Sequence, residues 1–349
     1  MSRPARTSGN MIKEEAHPTP IDVFAEANER LESGRAEGRP DEAAAALLAL
    51  AEMQLLCELW VPAHTSAAQA RELFAELGDQ GREAEAARAD VKAGLASESL
   101  DEALARVKEE QKYFGKEGKD LGEAMMLLSL SDVHMARDEP KLALQAATKA
   151  STALQRHQAS MADSGAQSYE KRAQVLALHQ IGEVQKAFNG AAEMLDVVRK
   201  AMPIVVGLED PVLEARVYEL KSHAYQVKGD SARAMEATKA GLELSRKAGD
   251  RLGEGVALNN TANAYLMRPD GAQGAMRAAS EAAALCAATG DRREGAAALG
   301  ELVGAYMALE RMGDATRVQR RLLALAKERG DSQQIQMAEE GLAWLQQSG

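Results

Sequence analysis

The sequence has few aromatic residues and only two cysteines, and each shortage excludes a class of protein. Aromatic residues make up 3% of the chain, so a core must be built mainly from aliphatic side chains. Cys57 and Cys286 lie far apart, inside helical patterns. They form neither a disulfide framework nor a zinc-binding spacing. We interpret them as small buried residues of a protein in a reducing compartment.

A long apolar run and a secretory signal are also missing. The longest unbroken apolar run, residues 43–51, is far shorter than the roughly 20 residues that a membrane-spanning helix needs. The N-terminus lacks the apolar region of a signal peptide. We expect a cytoplasmic protein without membrane insertion. Import into an organelle is the alternative, which Arg3 and Arg6 favour and Glu14 and Glu15 oppose.

Positive charge and strand-forming runs are scarce as well. The formal net charge is −11, which argues against binding to the phosphate backbone of nucleic acids. Runs of Val, Ile and Thr typical of strands are lacking, and Ile204 to Val206 is too short to form a sheet. The abundant residues, Ala, Leu, Glu, Gln, Lys, Arg and Met, lose little side-chain freedom in a helix. The composition therefore predicts an all-α protein.

Motifs for catalysis, phosphate binding or metal binding are not evident. Ser168 and Lys171 match the Ser-x-x-Lys pattern of some acyl-transfer enzymes, but the companion motifs are absent. His179 and Glu183 stand four residues apart, a spacing that can hold a metal, yet no third ligand is in register. We interpret both pairs as ordinary helix residues, and we predict no enzymatic activity, no metal and no cofactor.

A repeat of about forty residues organises the chain. Tyr225, Tyr265 and Tyr306 are separated by 40 and 41 residues, and Gly-Asp pairs at 249/250, 290/291 and 330/331 keep the same step. A small residue also recurs, at Ala63, Ala103, Ala143, Ala234, Ala275 and Ala315, with Met194 in the corresponding place of the fourth unit. Such a period indicates a solenoid, in which each unit buries its apolar face only against its neighbours.

This register divides the chain into a tail, a short helix and a repeat domain. Residues 1–18 read as a disordered tail, 19–38 as a short helix and linker starting at Thr19-Pro20, and 40–349 as the repeat domain. A polar stretch around 159–167 reads as a longer loop. The predicted helix pairs are 40–59/62–77, 80–95/99–116, 120–136/139–157, 167–187/190–206, 211–227/230–248, 251–267/271–288 and 292–309/312–329. A last helix at 332–347 should cap the stack with Leu342, Trp344 and Leu345.

The repeat resembles the tetratricopeptide repeat in its longer, forty-residue form. Thr261 to Tyr265 matches the family's Leu-Gly-x-Ala-Tyr core of the first helix, and Ala275 and Ala282 match its two small positions in the second. The first two pairs lack the tyrosine, and the third has His134 there. The resemblance implies a right-handed superhelix of about seven helix pairs whose first helices line a concave groove.

The resemblance also implies which residues face that groove. They are Ser129, Asp132, Gln180, Glu183, Arg216, Glu219, His223, Asn260, Asn263 and Glu301. Asn260 and Asn263 stand out, because an amide can donate to and accept from the backbone of an extended ligand. A solvated helix face is the alternative. A subset of the family binds the C-terminal carboxylate of chaperones through cationic side chains. In this chain Glu219, His223 and Glu301 stand where those cations are needed, so the chain does not fit that subset.

We therefore predict a non-enzymatic adaptor that binds an extended peptide or a helix of a protein partner in the groove. The alternative is a ligand-responsive regulator, in which occupancy of the groove changes the shape of the superhelix. The sequence leaves the oligomeric state open.

Overall fold

The structure is a computed structural model that describes residues 21–95, 99–160 and 167–348. These residues form sixteen helices and no strand. The helices are α1 Ala25–Ala36, α2 Pro40–Leu56, α3 Trp60–Glu76, α4 Gln80–Gly94, α5 Leu100–Lys116, α6 Asp120–Ala136, α7 Pro140–Ser160, α8 Gln167–Lys186, α9 Ala191–Val206, α10 Pro211–Val227, α11 Ser231–Ala248, α12 Arg251–Leu266, α13 Ala272–Thr289, α14 Arg292–Ala308, α15 Met312–Arg329 and α16 Ser332–Ser348. None of the described helices is long and apolar enough to cross a membrane.

The predicted all-α solenoid is confirmed. Helices α2 to α15 form seven antiparallel pairs, and α16 follows as the capping helix. The short N-terminal helix begins at Ala25, and residues 21–24 precede it without being helical, so it starts later than the predicted Thr19-Pro20. Those two residues and the tail 1–18 lie outside the described residues. Most of the predicted loop around 159–167 lies outside them too, because α7 continues to Ser160 and α8 starts at Gln167.

Small residues let the second helix of each pair pack closely. The six alanines of the recurring position are at most 1% exposed, and Met194, which replaces alanine in the fourth unit, is fully buried. Methionine is flexible enough to fill an irregular junction. Ala282, the second small position of the sixth pair, is also fully buried. The structure thus confirms the register, and it explains how the chain packs with few aromatic residues.

The repeated tyrosines cover the start of the second helix in their own pair. The ring of Tyr265 lies against Gly274, where a Cβ atom would come within 2.7 Å of it. Arg233 stacks over Tyr225 with its guanidinium carbon 5.7 Å from the ring centre, and Arg311 does the same over Tyr306 at 4.7 Å. An aromatic ring and a cation attract each other at such distances. The tyrosines therefore fix the packing within a pair.

Left-handed residues make most of the turns between helices. Seven of them are glycines, such as Gly249 with φ of 70°. Five are not glycine: Glu58, Asp138, Asn189, Glu209 and Glu310, with φ between 50° and 59°. A side chain in this conformation is strained. Aspartate often follows the turn and caps the next helix, as where the Asp250 carboxylate accepts from the Gly253 amide at 2.9 Å.

The C-terminal cap differs in part from the expectation. Leu345 is buried, at 3% exposed, and it joins the core of the last pairs with Ala315 and Val318. Trp344, in contrast, is 49% exposed. Leu345 and Ala338 are the buried apolar residues of α16.

Candidate functional site

The first helices of the pairs form the inner side of the curved stack. Extensive contacts join α2 to α4, α4 to α6, α6 to α8, α8 to α10, α10 to α12 and α12 to α14. Comparable contacts between the second helices of successive pairs are not found in the described part of the chain. Helices on the inside of a curve approach each other most closely, so the first helices line the concave face.

A polar network fills this concave face at the second to fourth pairs. Nη2 of Arg88 donates to Oδ2 of Asp132 and to Oε1 of Gln180, both at 3.0 Å. The Gln180 amide nitrogen donates in turn to Oδ1 of Asp132 at 2.9 Å and to Oγ of Ser131 at 3.3 Å. Arg88 and Gln180 are 92 residues apart. The network therefore links α4, α6 and α8 directly.

A second contact of the same kind strengthens this link. Nε of Arg172 in α8 lies 3.4 Å from Oε1 of Glu85 in α4, and the same guanidinium binds Asp210 before α10. Burial raises the pKa of Glu85, against the opposing effect of Arg172. Helices α4 and α8 thus meet across α6, and the inner curve is tight here.

Three of the predicted groove residues are consequently used within the protein. Ser129 has no exposed surface, and its hydroxyl donates to the Met125 carbonyl at 3.4 Å. Asp132 and Gln180 belong to the network with Arg88. The groove was expected to expose these three residues. Ser129 and Gln180 are buried instead, and the half-buried Asp132 already accepts hydrogen bonds from Arg88 and Gln180.

The inner face of α8 carries a histidine that stays neutral. Nε2 of His179 lies 3.6 Å from Oε1 of Glu183, and Nζ of Lys186 lies 2.7 Å from the same oxygen. Burial lowers the pKa of His179 to about 4. Glu183 has a lowered pKa because His179 and Lys186 outweigh the effect of its burial. No group of three His, Cys, Asp or Glu residues that could hold a metal occurs in the described residues.

On α10, a glutamate and an arginine lie side by side without forming an ion pair. Burial raises the pKa of Glu219 to about 8, although Arg216 and Lys186 oppose it. Glu219 is therefore mostly protonated at neutral pH, and it repels a ligand carboxylate less than an ionised glutamate would. Burial and Lys186 lower the pKa of His223, despite the opposing effect of Glu183. These residues of α8 and α10 share one surface.

Positive charge from two helices converges on this surface. Arg88 and Arg216 both repel the Lys92 ammonium and, with burial, lower its pKa, although Asp132 opposes them. Nζ of Lys92 is 3.8 Å from Oδ2 of Asp132. Arg216 forms no hydrogen bond or ion pair with the described residues. The chain is acidic as a whole, yet its inner face is rich in cations here.

The two asparagines on α12, Asn260 and Asn263, are half-buried, and their side-chain amides form no hydrogen bond with the described residues. Asn260 takes part only through its backbone carbonyl, which accepts from Nε2 of Gln226 at 3.3 Å. Their neighbour Asn259 is different, since its amide nitrogen donates to the carbonyl and to a carboxylate oxygen of Glu294, both at 3.0 Å. Asn259 is structural. Asn260 and Asn263 are left for another molecule or for water.

Glu301 on α14 extends the same surface beyond α12. Burial raises its pKa. Three cations of this surface, Arg88, Lys92 and Lys186, were not among the ten residues predicted from the sequence, although they contact Asp132 and Glu183. The four-residue spacing of Arg88 and Lys92 was visible, but the second pair lacks the tyrosine that fixed which helix face points inward.

Comparisons with known proteins agree with the architecture. No protein-family model matches the sequence, and no curated protein matches it. A Signal Transduction ATPase with Numerous Domains from Pyrococcus horikoshii, which has a tetratricopeptide repeat sensor, superposes with a TM-score of 0.59 at 14% identity, over 93% of this chain and 48% of that one. A Rap protein, solved in complex with Competence and Sporulation Factor, superposes with a TM-score of 0.58 at 14% identity, over 87% of this chain and 88% of that one.

The fold is that of a tetratricopeptide-like repeat protein. The family resemblance carried by Tyr265, Ala275 and Ala282 is therefore confirmed at the level of the fold. At 14% identity the superpositions concern the fold alone. The tetratricopeptide-like groove of this chain must be interpreted from its own side chains.

Proposed function

We propose that this protein is a non-enzymatic adaptor that binds an extended segment of a partner protein on the inner face of α8, α10, α12 and α14. One observation carries the proposal. Arg216, Asn260 and Asn263 are half-buried on the concave face of successive first helices, and their side-chain polar groups make no hydrogen bond with the described residues. Polar groups in a concave, partly dry surface gain most from a ligand that pairs them.

The asparagines suit the backbone of the ligand. A side-chain amide offers both a donor and an acceptor, so it can pair with a peptide group whatever the neighbouring side chains are. An extended chain presents such groups at regular intervals, whereas a helix has already paired its own. The proposal therefore favours an extended segment over a helix.

The cations suit an acidic group of the same segment. Arg216 and Lys92 repel each other across the inner face, and an anion between them would relieve that repulsion. Glu219 does not fill this role at neutral pH, because its pKa is about 8. We expect the bound segment to carry Asp, Glu or a terminal carboxylate next to Arg216.

The ligand-responsive regulator remains the second candidate. It is supported by the tight side-chain link between α4 and α8 through Arg88 and Gln180, because a ligand that alters this link would alter the curvature. The Rap protein that shares the fold was solved in complex with Competence and Sporulation Factor, which supports a peptide as the class of ligand for this chain too.

Selection from a random peptide library displayed on phage tests the proposal. The wild-type protein should enrich linear peptides that contain acidic residues. Asn260→Ala combined with Asn263→Ala should weaken the best peptide at least about 10-fold, which corresponds to about 1.4 kcal/mol. Asn28→Ala, on the exposed face of α1, is the matched control and should bind as the wild type does. Equal affinity for the double variant, with an unchanged circular dichroism spectrum, would remove the groove assignment.

A further inference from the structure

The two ends of the repeat array touch each other. Two nitrogens of Arg329, the last residue of α15, donate to the two carboxylate oxygens of Glu58 at 3.0 and 2.8 Å. The Ile21 amide donates to the Ala288 carbonyl at 2.8 Å. Sγ of Cys57 lies 4.0 Å from the Thr289 carbonyl oxygen. These contacts join residues that are up to 271 positions apart.

This closing contact differs in kind from the rest of the packing. The extensive contacts in the described chain run between helices one or two positions apart in the order of elements. The closing contact instead joins Ile21, before α1, and the turn after α2 to the ends of α13 and α15. Among the described residues, it includes the Arg329–Glu58 ion pair, the Ile21–Ala288 backbone hydrogen bond and the contact of the Cys57 thiol. The apolar core clusters at the two ends are separate from each other.

Local structure holds both partners of the ion pair in place. Glu58 occupies the turn between α2 and α3, where it adopts the left-handed conformation with φ of 58°. Arg329 is fixed from its own side as well, because Nη1 donates to Oε1 of Gln334 at 2.9 Å and lies 3.6 Å from Oδ2 of Asp331. The side chains of Arg329 and Glu58 are 12% and 20% exposed. The pair is therefore oriented, and water reaches its edge.

We propose that this contact is a reversible closure that joins the ends of the superhelix around its inner face and opens to admit a partner segment. The closure rests on the contacts between the ends alone, whereas the admission of a segment also rests on the proposed binding function. A segment without a free end near the groove can enter a closed ring only if the ring opens. The polar make-up of the contact suits opening, because no apolar core cluster spans the two ends and water can replace the hydrogen bonds that opening breaks.

The two cysteines provide a reporter and an internal control. Cys57 is 6% exposed and lies within the closing contact, and burial raises the pKa of its thiol to about 11. Cys286 is 2% exposed and is covered by α12 and α14, because a Cβ atom added at Gly255 would lie 3.1 Å from its sulfur and one added at Gly295 would lie 3.4 Å from its Cβ atom. Alkylation needs an accessible thiolate. Opening of the ring should therefore expose Cys57 and leave Cys286 covered.

The rate of alkylation by N-ethylmaleimide, resolved for each cysteine by mass spectrometry, tests the closure on the full-length chain. Arg329→Gln should speed the labelling of Cys57 at least about 10-fold, the change that a loss of about 1.4 kcal/mol produces, with Cys286 unchanged. Arg317→Gln is the matched control, because it breaks an exposed pair with Asp314 on the same helix, and it should label like the wild type. Exchanging the charges, with Glu58→Arg and Arg329→Glu together, should restore slow labelling.

Two outcomes overturn the closure. If Cys57 in the Arg329→Gln variant is alkylated at the wild-type rate, the contact does not hold the ends together. A rise at Cys57 and Cys286 in parallel shows that the variant unfolds as a whole and that no local opening exists. The radius of gyration from solution scattering gives a second measurement, and it should increase in Arg329→Gln.

A peptide selected from the library tests admission separately. The peptide should associate with the Arg329→Gln variant several-fold faster than with the wild type. In the wild type, binding of the peptide should slow the alkylation of Cys57. An unchanged association rate together with faster labelling of Cys57 would keep the closure and refute its role in admission. Failure to select any peptide would count against the proposed function, while the labelling experiment would still decide the closure.

Discussion

Replacing Arg88 by methionine tests whether the polar network on the inner face holds the second to fourth pairs together. The substitution keeps the volume and removes a guanidinium whose Nη2 atom donates to Asp132 and Gln180, both at 3.0 Å. Removing one partner of a buried ion pair costs about 3 to 5 kcal/mol. Asp132 is 14% exposed and keeps Gln180 and Lys92, so we expect a loss of about 2 to 3 kcal/mol.

The effect can be measured by urea unfolding followed by far-ultraviolet circular dichroism. Arg199→Met is the matched control, because Arg199 is 76% exposed and pairs only with Asp196 on its own helix, and it should cost less than about 0.5 kcal/mol. Adding Asp132→Leu to Arg88→Met should recover about 1 kcal/mol, since the carboxylate that has lost its closest cation is then removed, while the ammonium of Lys92, with its side chain 39% exposed, can be solvated by water. A loss in Arg88→Met no larger than in the control, or strictly additive losses in the double variant, would refute the reasoning.

Three further predictions concern the groove, a turn and the repeat packing. Burial raises the pKa of Glu219 from 4.5 to about 8, so the folded protein should lose stability as the pH rises from about 4.5 through about 8. Glu219→Gln removes this dependence and should be more stable than the wild type by about 1 to 3 kcal/mol at pH 9. Parallel curves of unfolding free energy against pH for the two proteins, measured by urea unfolding, would contradict this prediction. Glu209→Gly removes the strain of a left-handed turn residue with φ of 54° and should raise the stability by about 0.5 to 1 kcal/mol. A thermal melt would detect this gain. Glu214→Gly, within a helix, is the control and should show no gain. Ala275→Leu overfills a fully buried junction and should lower the stability by about 1 to 3 kcal/mol; a variant that melts like the parent would show that the register is wrong.

The repeat architecture could be predicted from the sequence because it depends on local rules. Ala275 and its counterparts must be small wherever a second helix packs closely, and aspartates such as Asp250 cap the following helix, so both signals recur with the period. Each repeat contacts mainly its neighbours. Helix limits and pairing are therefore fixed by residues that lie within about one period of each other.

The inner network and the closing contact could not be predicted, since they depend on the curvature of the whole array. Arg88 meets Gln180 across 92 residues, and Glu58 meets Arg329 across 271. Curvature accumulates from small rotations between successive pairs, and no spacing in the sequence encodes that sum. The same limit explains why Ser129 was assigned to the groove although it is fully buried.

The left-handed turn residues that are not glycine could not be predicted, for a different reason. Glycine marks a left-handed turn in the sequence, whereas Glu58, Asp138 and Glu310 occupy the same conformation without any such mark. The strain of these side chains is tolerated because the helices on both sides impose the turn. Trp344 was expected to cover the apolar end of the stack together with Leu342 and Leu345, but it is 49% exposed.

Mapping the contact site of a selected peptide by photo-crosslinking would test the proposed binding surface most directly. A library-selected peptide that carries a benzophenone group is irradiated in complex with the full-length protein, and mass spectrometry locates the crosslinked residues. Binding on the inner face predicts crosslinks to α10, α12 and α14, around Arg216, Asn260 and Glu301. Crosslinks confined to the second helices α11, α13 and α15 would contradict the account.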